Sequence, residues 1–444
     1  MLTPTQLSAA RLLPDTTTVS QYGVMRIAGY LLSELAQRYG TPLYIFDRAT
    51  IINACQHYQE AFRQYYHASS VRIIYAAKAY LSPLIARTMA EQGMGLDVVS
   101  GGELSVAHHA GFPMENVSFH GNNKREDELY LALQLGVGRI VLDNWSELER
   151  LTRIAQETKK TPHVLLRIAP DVETDTHRYL QTGHAASKFG FPLNNGEAKA
   201  AIHAVLQEGR LHLAGLHAHT GTMLRETRPY EECLERLLDL ATEVYEETGW
   251  WPEEVSPGGG WGIETADGVE VPGVYMLAQA LQQTMERRLA DNAALPVPTL
   301  IIEPGRSIIA RAGVTLYRVG ARKPTPGGIT YLFVDGGMAD NIRPALYGAH
   351  YTALPVEQLA TPGEEVCISG RYCESGDMLI ERVVLPQMRE GDLLLLPTTG
   401  AYCLPMASNY NLVPRPAVIL IDEQQVWQME RRETYTDLLM RYTE

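Results

Sequence analysis

Short runs of β-branched and aliphatic residues recur between about residues 48 and 310, with stretches of helical spacing between them. Eight of these runs predict strands: Val71–Ala77, Leu96–Val99, Val117–His120, Arg139–Leu142, His163–Ile168, Leu213–His217, Glu253–Ser256 and Thr299–Glu303. Val, Ile and Tyr suit a pleated, packed surface, which is why such runs read as strands. The intervening stretches include Glu231–Glu246, where Leu234, Leu237, Leu238 and Ala241 share one face of a helix. Strands alternating with helices imply a parallel sheet with helices outside it. Eight such units in roughly 250 residues is the size of a (β/α)8 barrel.

After about residue 312 the pattern changes. Val and Leu runs at Tyr331–Asp335, Glu365–Ser369, Asp392–Pro397 and Ala417–Asp422 alternate with turns rich in Gly, Pro and Asp. That texture predicts an antiparallel β-barrel or sandwich domain, which Leu43–Phe46 could join as an N-terminal strand. The expected organisation is an N-terminal segment over 1–47, an α/β barrel over 48–311 and a β domain over 312–444.

Bulk properties narrow the function. A chain of 444 residues is too long for one ordinary core. The net charge of −14 argues against nucleic acid or an anionic membrane as the main partner. The five cysteines, Cys55, Cys233, Cys367, Cys373 and Cys403, show neither a CxxC pair nor metal-ligand spacing, so no metal site is expected and a reducing cytoplasm fits best. The first fifteen residues lack the pattern of a signal peptide, and no apolar run approaches the length of a membrane span.

In an α/β barrel, chemistry collects where the strands end. The first predicted strand ends in Lys78, a residue costly to bury unless paired, neutral or covalently bound. The second carries Asp97, the third ends in His120, the fifth carries Arg167 and the sixth runs through His217 to His219 and Thr222. The seventh opens into Gly258, Gly259 and Gly260, and the eighth into Glu303, Gly305 and Arg306. Each has an ordinary structural explanation alone, but their convergence on one mouth suits pyridoxal 5′-phosphate catalysis. A lysine amine forms a Schiff base with the cofactor aldehyde. A carboxylate such as Glu303 keeps a pyridine nitrogen protonated, and an imidazole such as His219 can stack on the ring. Glycine turns and the Thr222 hydroxyl can hold a phosphate.

The ordered set of segments resembles the fold type III pyridoxal phosphate decarboxylases, and within them the diaminopimelate decarboxylases. It runs through Tyr75–Ala79, Asp97–Leu104, Gly121–Lys124, His177–Gly190, Gly258–Gly260 and Glu303–Arg306. It continues through Asp335–Met338, Arg343–Tyr347, Cys373–Asp377 and Gly400–Tyr402. Thr182–Gly190 and Met406–Asn411 look most like the diaminopimelate enzymes.

The resemblance implies an alanine-racemase-like fold and decarboxylation of meso-2,6-diaminopimelate to L-lysine and carbon dioxide. It implies that Lys78 carries the cofactor, that Glu303 pairs with its ring nitrogen, and that Gly260, Gly305, Arg306 and Tyr402 line the phosphate site. Arg306, Arg343 and Tyr347 would hold the distal carboxylate of the substrate and Glu374 its distal amine, with Cys373 as proton donor. Cys373 and Glu374 would reach the site from the partner subunit of a homodimer. A sister decarboxylase acting on another amino acid or on a carrier-tethered or siderophore-type substrate, an amino acid racemase and a non-catalytic cofactor carrier remain alternative readings. The chain departs from the family at two places. It reads His219-Thr220-Gly221-Thr222-Met223 where His-Ile-Gly-Ser-Gln is usual, and Val255-Ser256-Pro257 where an Asp or Asn and an aliphatic residue usually precede the glycines.

Overall fold

A computed structural model describes residues 10–67, 70–172, 187–290, 294–357, 359 and 363–443. Most of the Thr182–Gly190 motif, residues 182–186, lies outside the described residues. The chain forms two compact units. One comprises Cys55–Ile263 and Val271–Gly305; the other comprises Met1–Ala54, Glu264–Glu270 and Arg306–Glu444.

The first unit contains a closed parallel barrel. Its strands are Val71–Ala76, Gly95–Val98, Val117–Phe119, Arg139–Leu142, His163–Ala169, His212–His217, Glu254–Gly258 and Thr299–Ile302. Every neighbouring pair is parallel, and the ring closes where Leu300–Ile302 pairs with Val71–Ile73. Ile74, Val141, Leu165, Ala214 and Ile301, from five of the eight strands, pack together as a buried cluster, so that the barrel is filled as a core rather than left as a pore. At the amino ends of the strands, Glu254 receives both Arg139 and Arg72.

Side chains at the strand exits start several of the surrounding helices. Ser82, Ser100 and Asn144 accept the backbone N–H of Ile85, Glu103 and Glu147, capping the helices Pro83–Glu91, Gly101–His109 and Trp145–Thr158. The helix Arg228–Thr248 buries Leu234, Leu237, Leu238 and Ala241. These are the residues whose spacing predicted its inner face.

The second unit is a largely antiparallel sheet organised around one long strand, Gly313–Pro324. That strand pairs antiparallel with Leu43–Asp47, Thr330–Val334 and Leu393–Leu396. Two pairings are parallel: Leu43–Asp47 with Ala417–Ile421, and Tyr331–Phe333 with Cys367–Ser369. The wholly antiparallel expectation is refined on that point, because long connections separate these partners and remove the constraint of a tight hairpin. Leu43, Ile45, Val314, Leu316, Leu395, Ile419 and Ile421 lie in one core cluster of the unit. Leu332, Val334, Val366, Ile368, Leu379 and Leu394 lie in another.

Candidate active site

The carboxyl ends of the barrel strands assemble a polar cluster around Glu303, which follows the eighth strand and is buried. His217, the last residue of the sixth strand, places Nε2 3.0 Å from Glu303 Oε2. Ser256 donates its hydroxyl to Glu303 Oε1 at 3.3 Å, and His120 Nε2 lies 3.6 Å from the same oxygen. The rings of His120 and His217 meet edge to face at 4.9 Å. Burial works against charge on Glu303, but His217 and His120 outweigh it and hold the carboxyl well below the usual range.

Asp97 on the second strand is the contrasting carboxylate. Burial pushes it up to about 7, partly offset by the positive charge of Lys78. Its Oδ1 lies 3.8 Å from His120 Nε2. Lys78 sits on the single 3₁₀ turn Ala77–Ala79 that follows the first strand, and its side chain is exposed. Arg167 on the fifth strand is held 3.8 Å from Asp143 and stacks on Phe189. Burial, then the charges of Lys78 and Arg167, drive the half-buried His219 well below the ordinary histidine range.

The glycine turn approaches this cluster closely. Gly259 donates its N–H to His219 Nδ1 at 3.2 Å. Gly260 has φ +102, and a Cβ there would come within 2.0 Å of the Gly221 carbonyl oxygen, so this turn requires glycine. Leu224 donates to the Gly260 carbonyl, which ties the turn to the segment containing Thr222 and Met223. Thr222 is half-buried, and Met223 adopts the left-handed conformation at φ +63.

These residues fit pyridoxal phosphate on chemical grounds. The buried atoms Asp97 Oδ1, His120 Nε2 and His217 Nδ1 find no hydrogen-bond partner among the described residues. An amine, an ionised carboxylate, the neutral imidazole of His219 and a glycine turn together supply what an aldehyde, a pyridine nitrogen, an aromatic face and a phosphate require.

The second unit holds a cationic cluster of its own. The Arg306 guanidinium lies over the Tyr402 ring at 4.6 Å; that of Arg343 lies 5.6 Å from Tyr402 and 5.1 Å from Tyr347. Arg343 is buried on the short helix Arg343–Tyr347. The Nε atoms of both arginines are buried without a hydrogen-bond partner among the described residues. Burial, then the like charge of Arg343, lowers Arg306 from its ordinary range. Tyr402 has φ +62, a strained conformation for a tyrosine, which costs on the order of 1–3 kcal/mol. Gly305 is buried, whereas Cys373 and Glu374 are exposed on the loop after the strand Glu364–Ser369.

Lys78, Asp97, His219, the glycine turn and Glu303 all belong to the barrel exits. Arg306, Arg343, Tyr347 and Tyr402 gather in the second unit. In the sequence, His120, His217 and Arg167 stand at strand ends with no role assigned to them, and Ser256 stands out only as a departure from the family pattern. Their strand-end positions were the available signal; that three of them surround one carboxylate requires the packed barrel.

Residues 48–310 match the family model "Pyridoxal-dependent decarboxylase, pyridoxal binding domain". The chain is 41% identical to the diaminopimelate decarboxylase of Bacillus subtilis over 96% of this chain and 97% of that one. It is 40% identical to that of Mycobacterium tuberculosis over 96% of both. Among solved structures, the diaminopimelate decarboxylase of M. jannaschii in complex with L-lysine superposes with a TM-score of 0.90. That structure is 34% identical and covers 97% of this chain and 98% of the other. No described helix is long and apolar enough to cross a membrane.

Proposed function

Because the chain belongs to the pyridoxal-dependent decarboxylases, we propose that it converts meso-2,6-diaminopimelate to L-lysine and carbon dioxide. When bound, pyridoxal phosphate supplies an electron sink for the carbanion left by loss of carbon dioxide. Lys78 is the residue that attaches it. Glu303, held ionised by His217 and His120, keeps a positive charge on the ring nitrogen. His219 offers its imidazole to the ring face, fixed by the Gly259 N–H. Thr222, Gly258, Gly259, Gly260, Gly305, Arg306 and Tyr402 serve the phosphate.

The observation that carries the substrate assignment is Arg343, a buried guanidinium whose Nε has no hydrogen-bond partner among the described residues. A substrate with a second carboxylate matches a forked cation, whereas lysine or ornithine offers no such group. Tyr347 flanks that arginine. Glu374 takes the distal amine, and Cys373 returns a proton to the α carbon. Both are exposed in the subunit described, which suits residues that complete the site of a partner subunit, so the active form is a homodimer. Five cysteines without a disulfide suit a reducing cytoplasm.

The test is carbon dioxide release from meso-diaminopimelate, lysine, ornithine and arginine in parallel. Activity on the first alone is expected; activity only on another member rejects the substrate assignment. Borohydride reduction of the loaded enzyme should fix the cofactor on the peptide containing Lys78. Lys78→Ala should abolish both the attachment and turnover.

A further inference from the structure

Arg343 and the pair Cys373–Glu374 lie on different segments of the second unit, and two buried aspartates fasten those segments together. Asp340 lies three positions before Arg343 and is 3% exposed; Asp377 closes the Cys373–Glu374 loop and is 1% exposed. Neither has an ion-pair partner among the described residues. Both instead collect hydrogen bonds across the junction. Asp377 accepts the N–H of Met338 at 2.7 Å, from the segment before Arg343, and the N–H of Tyr372 at 2.8 Å, from its own loop. Asp340 accepts the hydroxyl of Tyr372 at 3.2 Å, from the opposite segment, and that of Tyr317 at 2.6 Å, from the long central strand. Tyr44 donates to the Asp340 backbone carbonyl at 2.8 Å. Arg371 N–H reaches the Gly336 carbonyl at 3.0 Å, and Asn341 Oδ1 accepts the N–H of Arg343 at 3.3 Å.

The fit leaves no slack. A Cβ at Gly337 would lie 2.4 Å from Asp377 Oδ1, and one at Gly370 would lie 2.2 Å from Asp377 Oδ2. One glycine from each segment therefore closes on the same carboxylate. Burying two carboxylates this way is unfavourable: desolvation raises both, Asp340 to about 6. A purely structural contact could be built from apolar groups at lower cost.

We propose that Asp340 and Asp377 are positioning residues that lock the Arg343 segment and the Cys373–Glu374 loop into one rigid body. A shift in either group is thereby transmitted to the other. The functional half of this inference rests on the reading that Arg343 and Cys373–Glu374 act on substrate. The clasp also joins the group that holds the substrate of its own subunit to the loop that serves the partner's. Tyr372 is the link with a hand on each aspartate: its N–H on Asp377 and its hydroxyl on Asp340.

The test compares Tyr372→Phe, Asp340→Asn and Asp377→Asn in the cofactor-loaded enzyme. Tyr372→Phe removes one hydroxyl and leaves the packing, so it remains informative if an aspartate variant fails to fold. Amide hydrogen exchange should quicken in both 336–343 and 370–377 in every variant. The acceleration should be about fivefold for a hydrogen bond of ordinary strength, with the strand Gly313–Pro324 unchanged. In turnover, Asp340→Asn should lower kcat as well as raise KM, because disturbing Arg343 alone would raise KM only. Bound-cofactor absorbance should stay as in the parent. Exchange that quickens on one segment only, or kcat unchanged in Asp340→Asn, overturns the proposal. An enzyme inactive on meso-diaminopimelate sinks the substrate assignment instead, and the exchange measurement still decides whether the two segments move as one.

Discussion

Glu303 Oε2 and His217 Nε2 stand 3.0 Å apart inside the barrel mouth, and the second oxygen of the same carboxylate takes the Ser256 hydroxyl. Glu303 is thus oriented and kept ionised by neighbours on two other strands. Glu303→Gln keeps the size and one acceptor while removing the charge proposed to serve a ring nitrogen. Turnover should fall by about a hundredfold or more, the scale of losing one preorganised electrostatic group. The unfolding midpoint should move little; a variant with near-parental kcat would show that Glu303 does not serve the ring.

Asp97 stands in the opposite situation. Its folded pKa is raised to about 7, so the fold disfavours its ionised form. The penalty is absent below the unfolded value of about 3.9, grows as pH rises, and levels off above the folded value. Asp97→Asn removes it. In thermal unfolding of cofactor-free protein, the variant should match the parent near pH 4. It should exceed it by at least about 2 °C at pH 8, while losing activity. A gap that does not depend on pH would contradict the assignment.

Gly260→Ala places a methyl group where the Gly221 carbonyl stands 2.0 Å away, at a φ of +102. Either the turn or the Thr222 segment must shift. Cofactor affinity should fall at least about tenfold, since that turn is read as part of the phosphate cradle. Equilibrium dialysis of pyridoxal phosphate measures it directly, and unchanged retention would remove the turn from the cradle.

Lys124 is buried against Glu147 at 2.5 Å and also donates to the Gly121 and Val141 carbonyls. It pins the loop after the third strand to the end of the fourth. Lys124→Met leaves Glu147 buried and charged without its cation, which should cost about 3–5 kcal/mol. The double variant Lys124→Met, Glu147→Gln should recover part of that, because a neutral amide retains an acceptor for the Asp143 N–H. Denaturant unfolding of the two variants checks the sign; equal losses would deny the ion pair a structural role.

Much of this architecture was legible from residue order. The Arg139–Leu142 strand has the predicted bounds, and the other seven barrel strands lie within one or two residues of their expected limits. Parallel strands buried on both faces announce themselves as unbroken apolar runs. The second unit was harder. Gly313–Pro324 mixes Arg, Lys and Gly into a long strand that becomes exposed toward its end, so it lacks the continuous apolar signature. Lys78, Asp97, His219 and Glu303 could be found because they end or border such runs. The clamp of His120, His217 and Ser256 on Glu303 could not, since nothing in a linear chain says which strand ends face each other. The same holds for Asp340 and Asp377, whose partners are backbone amides and tyrosine hydroxyls from other segments of the unit.

The strand Leu43–Asp47 lies between Gly313–Pro324 and Ala417–Ile421, segments hundreds of positions later in the chain. During synthesis the barrel sequence emerges complete while this early strand still lacks both neighbours. Its buried apolar residues Leu43, Ile45 and Phe46 must wait for nearly the whole polypeptide. Truncation ahead of Ala417 would leave that strand with an open hydrogen-bonding edge, a template for aggregation. Premature termination late in the message should therefore yield insoluble protein even though every barrel residue has been made.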